Sequence, residues 1–162
     1  MNQIEVDKDL ANATLTVRTT FDVSIDRVWQ LWADPRKLER WWGPPEWPAT
    51  VVDHDLTPGG SVNYFMSGPD GEKAGGWWRV ISVDPPNALE VEDGFASDDG
   101  SPNLELPVTR MRVDLNSDGS TTTMIVTSRY DSSDALQQVL DMGMEEGMRA
   151  AMSQIEAILS EV

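Results

Sequence analysis

His54 is the sole histidine of this 162-residue chain. An imidazole is the side chain best suited to move a proton near neutral pH, provided a substrate atom comes within hydrogen-bond reach. His54 shares strand parity with Val52 and Leu56, a setting in which a lone histidine more often has a structural role, so catalysis is the weaker reading. Asp53, Asp55, Glu90 and Glu92 supply carboxylates, but their spacing forms no metal motif. No metal and no cofactor is expected. Cysteine is absent, which removes thiol nucleophiles, thiolate zinc sites and disulfides. The sequence lacks a convergent acid and base.

The aromatic residues say more. Arg40-Trp41-Trp42-Gly43-Pro44-Pro45 sets two adjacent indoles before a stiff break, and each such ring removes roughly 150 to 250 Å² from water when buried. Either the pair plugs the junction between helices and sheet, or it gates a cavity mouth, and the plug is the favoured reading for at least one ring. Met111 and Val113 alternate on one strand, as do Met124, Val126 and Ser128 on the next, facing helix methionines if parity holds. Methionine is flexible and polarizable, so this wall serves equally as gap-filling core or as an adaptable surface for apolar guests.

Composition narrows the partners. A net charge of -16 repels phosphate backbones and anionic bilayers, so neither nucleic acid nor a membrane is expected as partner. No run approaches the roughly 20 apolar residues of a membrane span, and the polar, acidic N-terminus is no signal peptide. A cytoplasmic location is the expectation.

The elements that must position these residues follow from periodicity. Residues 13–21 alternate as a half-buried strand. Ser24 reads as an N-cap, Val23 and Val28 as a hydrophobic staple, and Ile25, Val28, Trp29 and Trp32 as the apolar stripe of a helix to Ala33. Asp34-Pro35 opens a second short helix over 35–40. Strands are expected at 50–56, 61–67, 74–83, 88–95, 109–115 and 121–130, separated by TPGG, GPDG, DPPN and NSDG turns. Residues 96–107 read as a long mobile loop. From Ser132 or Ser133 a single long helix is expected to run close to the C-terminus, with Leu136, Leu140, Met144, Met148, Ala151, Ile155, Ile158 and Leu159 on one side. Gly143 and Gly147 fall on that side too. They mark either close packing on the sheet, the favoured reading, or room left for something else.

This order of elements resembles the helix-grip fold of the START/SRPBCC (birch-pollen-allergen-like) superfamily. Arg27-Val28-Trp29-Gln30-Leu31-Trp32, Asp34-Pro35, Leu38 to Pro44, Pro58-Gly59-Gly60, Gly68-Pro69-Asp70-Gly71, Gly76 with Trp78, Asp84-Pro85-Pro86 and Met142 to Met148 resemble, in order, the family named for the activator of the heat-shock-protein-90 ATPase. The resemblance implies an α+β fold in which a curved antiparallel sheet wraps around a long C-terminal helix, with two short helices after the first strand. It gives one domain over 12–162 behind a tail of residues 1–11.

It also implies a largely apolar cavity between sheet and helix, with Val62, Tyr64 and Met66 facing inward. The candidate ligand-binding residues are Trp32, Trp41, Trp42, Tyr64, Met66, Trp78, Phe95, Met111, Met124, Met144 and Met148. Tyr64 would present a hydroxyl inside the cavity, and with His54 it is a weak catalytic candidate.

The expected function is binding of a small hydrophobic or amphipathic molecule. One alternative is a cyclase, aromatase or dehydratase-like enzyme on a polyketide-type substrate, in which His54, Tyr64 or a carboxylate moves a proton. Another is a chaperone cofactor or interaction module, which an exposed patch of Trp41, Trp42 and Trp47 would favour.

Overall fold

Alternation of apolar and polar residues builds the sheet, because each strand must put one face against the helices and the other in water. The computed structural model describes residues 4–97 and 99–161. Residues 1–3 of the expected tail, residue 98 of the expected loop and residue 162 lie outside them. The elements run β1 (Glu5–Asp9), β2 (Thr14–Phe21), α1 (Ile25–Ala33), α2 (Pro35–Trp41), β3 (Ala49–His54), β4 (Ser61–Ser67), β5 (Lys73–Asp84), β6 (Ala88–Ala96), β7 (Thr109–Asp118), β8 (Thr121–Arg129), α3 (Ser133–Asp141), α4 (Met144–Met152) and α5 (Ile155–Leu159). The strands form one antiparallel sheet in the order β1-β2-β8-β7-β6-β5-β4-β3. This is the α+β helix-grip architecture.

The segment expected as a tail contributes β1, whose Val6 sits opposite Val17 at the sheet edge. The six expected meander strands are all present, with ends shifted by up to three residues. Asp34 caps α2 by accepting the Arg36 amide at 2.9 Å, whereas Ser24 precedes α1 without a side-chain cap bond.

The expected single C-terminal helix is broken into α3, α4 and α5. The first break is at Gly143, with φ +88°. This left-handed conformation suits glycine and ends a helix by tying off its last carbonyls. The amides of Met142 and Gly143 accordingly turn back onto Val139 and Leu140. Apolar periodicity continues across the break, which is why the sequence reads as one helix.

The core lies on the concave face. Val17, Val62, Trp78, Val91, Val113 and Val126 from the sheet meet Val28, Leu31, Trp32 and Leu38 of the first helices and Ile155 of α5. Arg27 donates to the carbonyls of Leu159 and Glu161, Arg40 pairs with Glu161, and Gln154 donates to Gly43 at 2.7 Å. These bonds fasten the C-terminal helices to α1 and α2. Among the described residues no helix is long and apolar enough to cross a membrane.

Candidate functional site

Between the concave face and α4 lies an apolar chamber of about 260 Å³. Trp32, Trp41, Trp42 and Pro44 close one end, Tyr64 and Met66 enter from β4, and Asp93 and Phe95 from β6. Met111, Val126 and Ser128 form the floor, and Met144, Gly147, Met148, Ala151 and Met152 of α4 form the roof. A neighbouring space of about 210 Å³ shares Tyr64, Asp93, Phe95 and Met144 and reaches the helix break at Met142 and Gly143.

The two adjacent tryptophans divide their work. Trp41 is 1% exposed, and its Nε1 donates to the Leu31 carbonyl at 3.0 Å. It is the plug. Trp42 is half-buried and lines the chamber, with its ring centre 5.0 Å from Trp78 and 6.0 Å from Tyr64, both edge-on. Such edge-to-face contacts fix ring orientation as well as adding apolar area.

One polar pair stands in this apolar space. Tyr64 Oη donates to Asp93 Oδ1 at 3.2 Å. Loss of solvent pushes the Asp93 carboxyl up to about 7, against the stabilising hydrogen bond from Tyr64. Burial, reinforced by the Asp93 charge, holds the Tyr64 phenol well above its ordinary value. The indoles of Trp42 and Trp78 oppose that shift by proximity. They form no bond meeting hydrogen-bond geometry, and the buried Nε1 groups of Trp32, Trp42 and Trp78 are all without a partner. A carboxyl poised near neutrality can give or take a proton, while Tyr64 stays a neutral donor. The buried N–H groups are donors that an acceptor oxygen could satisfy.

Of the candidate ligand residues, Trp32, Trp41, Trp42, Tyr64, Met66, Phe95, Met111, Met144 and Met148 line the chamber. Trp78 backs Trp42 from behind. Met124 is fully buried opposite Thr19 and Leu115, in the part of the core under α1 and away from the lining.

His54 is also away from the chamber, its Nε2 bonded to the Trp32 carbonyl at 3.0 Å. A register shift at Val52 breaks the parity expected for β3, so Val52 is 61% exposed while Val51 is buried. Trp41 is buried and Trp42 and Trp47 are half-buried, so they present no broad exposed aromatic face.

Asp93 was not among the sequence candidates. Its signal was strand parity: Leu89, Val91, Asp93 and Phe95 alternate with Glu90 and Glu92, which puts one carboxylate on the apolar side of β6. A tyrosine hydroxyl and a carboxyl far apart in sequence are thus brought within 3.2 Å of each other. Gly147 differs from expectation too, since a Cβ built there meets nothing within 4 Å. The glycine faces open volume and does not pack on the sheet. Among the described residues, no three histidine or acidic side chains group to hold a metal.

Comparison with solved structures gives the same fold. Protein Ms6760 from Mycobacterium smegmatis shares 47% identity at TM-score 0.90, over 99% of both chains. A protein from Arthrobacter aurescens shares 47% identity at TM-score 0.93, over 98% of this chain and 92% of that one. A protein from Staphylococcus epidermidis shares 27% identity at TM-score 0.80, over 93% and 90%. No curated protein matches the chain. The model of the Activator of Hsp90 ATPase homolog 1-like protein family matches residues 22–160, and the chain belongs to that family.

Proposed function

We propose that this protein binds a small amphipathic molecule in the chamber between the sheet and α4 and acts in the cytoplasm. The observation that carries the reading is an apolar space of about 260 Å³ into which few polar side chains project, chief among them the hydrogen-bonded pair Tyr64 and Asp93. An apolar enclosure with a few converging polar groups is the usual form of a small-molecule site. The volume lies just below the roughly 300 to 1,000 Å³ typical of drug-sized ligands, which favours a compact guest. Its apolar body would lie against Met111, Met144, Met148 and Met152, and its acceptor oxygen would meet Tyr64, protonated Asp93 and the free indole N–H of Trp42.

A thermal-shift screen of compact aromatic alcohols, ketones and acids, followed by chemical-shift mapping, tests this reading. Binding should perturb Tyr64, Met144 and Met148 and should disappear in Gly147→Leu, which fills the chamber. If no compound moves those resonances, the reading fails.

The Asp93–Tyr64 pair also supports a second reading, proton-transfer catalysis of the cyclase or dehydratase kind on a bound carbonyl compound. Turnover that survives both Asp93→Asn and Tyr64→Phe would remove it.

A further inference from the structure

The convex face of the same sheet carries an unexplained set of side chains. Trp77 points away from the chamber, and its indole lies across Gly94 of the neighbouring strand. Any Cβ at Gly94 would come within 2.5 Å of the ring. Trp77 Nε1 donates to the Phe95 carbonyl at 3.0 Å, which fixes the ring in place. This indole forms part of the wall of a cleft of about 790 Å³, bounded also by Leu104, which is 72% exposed.

Next to the ring, register aligns charges across four strands. Arg79 pairs with Glu92, Glu92 with Arg110, and Arg110 with Arg129, all on the outer face and all lining the cleft. Arg110 and Arg129 are like charges directly opposite one another, an arrangement that destabilises a sheet unless something neutralises it. Arg110 reaches Glu90 at 3.1 Å, whereas Arg79 and Arg129 make no ion pair among the described residues. Glu92 and Asp131 are the opposing acids in the cleft. Counting Glu90, which Arg110 already reaches, three acids answer the three arginines, and the two of these cations without an ion pair among the described residues, Arg79 and Arg129, both line the cleft.

We propose that this cleft is a second binding site, for a small aromatic oxyanion whose ring packs on Trp77 and whose carboxylate or phosphate is held by Arg79, Arg110 and Arg129. Guanidinium forks match the planar oxygens of such groups and also stack on aromatic rings. The surrounding charge of -16 favours a small ligand over a nucleic acid or an anionic bilayer, since either polymer or surface would have to cover acidic faces as well.

The test titrates isotope-labelled protein with benzoate, phenyl phosphate, benzyl alcohol and inorganic phosphate while following the Trp77 indole and arginine Nε–H resonances. Benzoate or phenyl phosphate should shift Trp77, Arg79 and Arg129, at least tenfold more tightly than benzyl alcohol or inorganic phosphate. Which of the two aromatic anions binds more tightly assigns the group as carboxylate or phosphate. The exposed double variant Arg79→Gln/Arg129→Gln should weaken binding at least tenfold, with unchanged dispersion elsewhere in the spectrum. Gly147→Leu, which fills the chamber, should leave cleft binding intact, so the two sites succeed or fail separately. Equal affinity for benzyl alcohol, undiminished binding in the double arginine variant, or shifts confined to Met144 and Met148 would each overturn the proposal.

Discussion

The concave chamber and the convex cleft are built by the same local device on opposite faces of one sheet. Inside, the Tyr64 ring lies over Gly76 of β5; outside, the Trp77 ring lies over Gly94 of β6. Each glycine gives an aromatic ring of the adjacent strand a place to lie flat. What differs is the solvent. Inside, burial among apolar side chains pushes the half-buried Asp93 carboxyl up to about 7. Outside, Arg79, Arg110 and Arg129 remain hydrated and charged. A ring laid over a glycine thus gives either a neutral donor site or a charged one, and the choice is set by whether a helix covers the face.

The largest expected effect tests how far the inner site depends on its plug. Trp41→Ala should lower stability by about 3 to 5 kcal/mol, through lost transfer energy and a cavity that cannot fully collapse. Denaturant unfolding measures this, and a loss below about 1 kcal/mol would place the ring outside the core.

The next concerns the titration that only the inner face should show. The Asp93 pKa is raised from 3.8 to about 7 in the folded protein, so the unfolded chain releases this proton first. Stability should therefore fall as pH rises from about 4 to about 7, by up to about 4 kcal/mol for this group, and level off above. The titratable groups facing Asp93 are Tyr64 and Tyr130, both held above the ordinary phenol value by burial and so neutral throughout this window, beside the uncharged Trp42, Thr109 and Met144. Asp93→Asn should abolish this part of the pH dependence in unfolding curves recorded at pH 5 and pH 8.

A smaller effect separates the two glycine faces. Gly94→Ala forces the Trp77 ring aside and should destabilise by about 1 to 3 kcal/mol, with the loss of the Trp77 indole shift as its spectroscopic sign. The smallest effect is expected at Gly147. Gly147→Leu enters open space in α4 and gains helix propensity, so stability should stay level or rise by up to about 1 kcal/mol. A clear fall would mean that α4 closes on the sheet in solution.

Much of this architecture was legible because half-buried strands and amphipathic helices announce themselves by period. The strands from β2 onward and both early helices follow their apolar alternation or stripe. β1 did not, because EVDKD at a sheet edge is held mainly by backbone pairing and carries charges suited to an edge. The break at Gly143 was hidden by periodicity that continues through it. The site was half legible. The aromatic and methionine lining could be read from parity and from the family resemblance, whereas Asp93 was lost among the acids of β6. Its significance depends on desolvation, a property of the assembled chamber. His54 was misleading for the converse reason, since a bulge at Val52 resets the parity on which its placement rested.

The strand order has a further consequence for how the chain reaches this state. β3 through β8 pair with sequence neighbours and can zip as local hairpins, but β2 pairs with β8, so Thr14 waits for Arg129. Such long-range closure slows folding, because the entropy of a large loop is lost before the contact compensates for it. On a ribosome the N-terminal hairpin emerges well before its partner strand, leaving one edge of β2 unpaired until β8 has been made. The outward charges along the waiting edges, Arg18 on β2 and Arg110 and Arg112 on β7, are of the kind that keep unpaired strands from joining another chain. Arg110, which lines the cleft in the finished protein, would thus already serve as a gatekeeper during its synthesis.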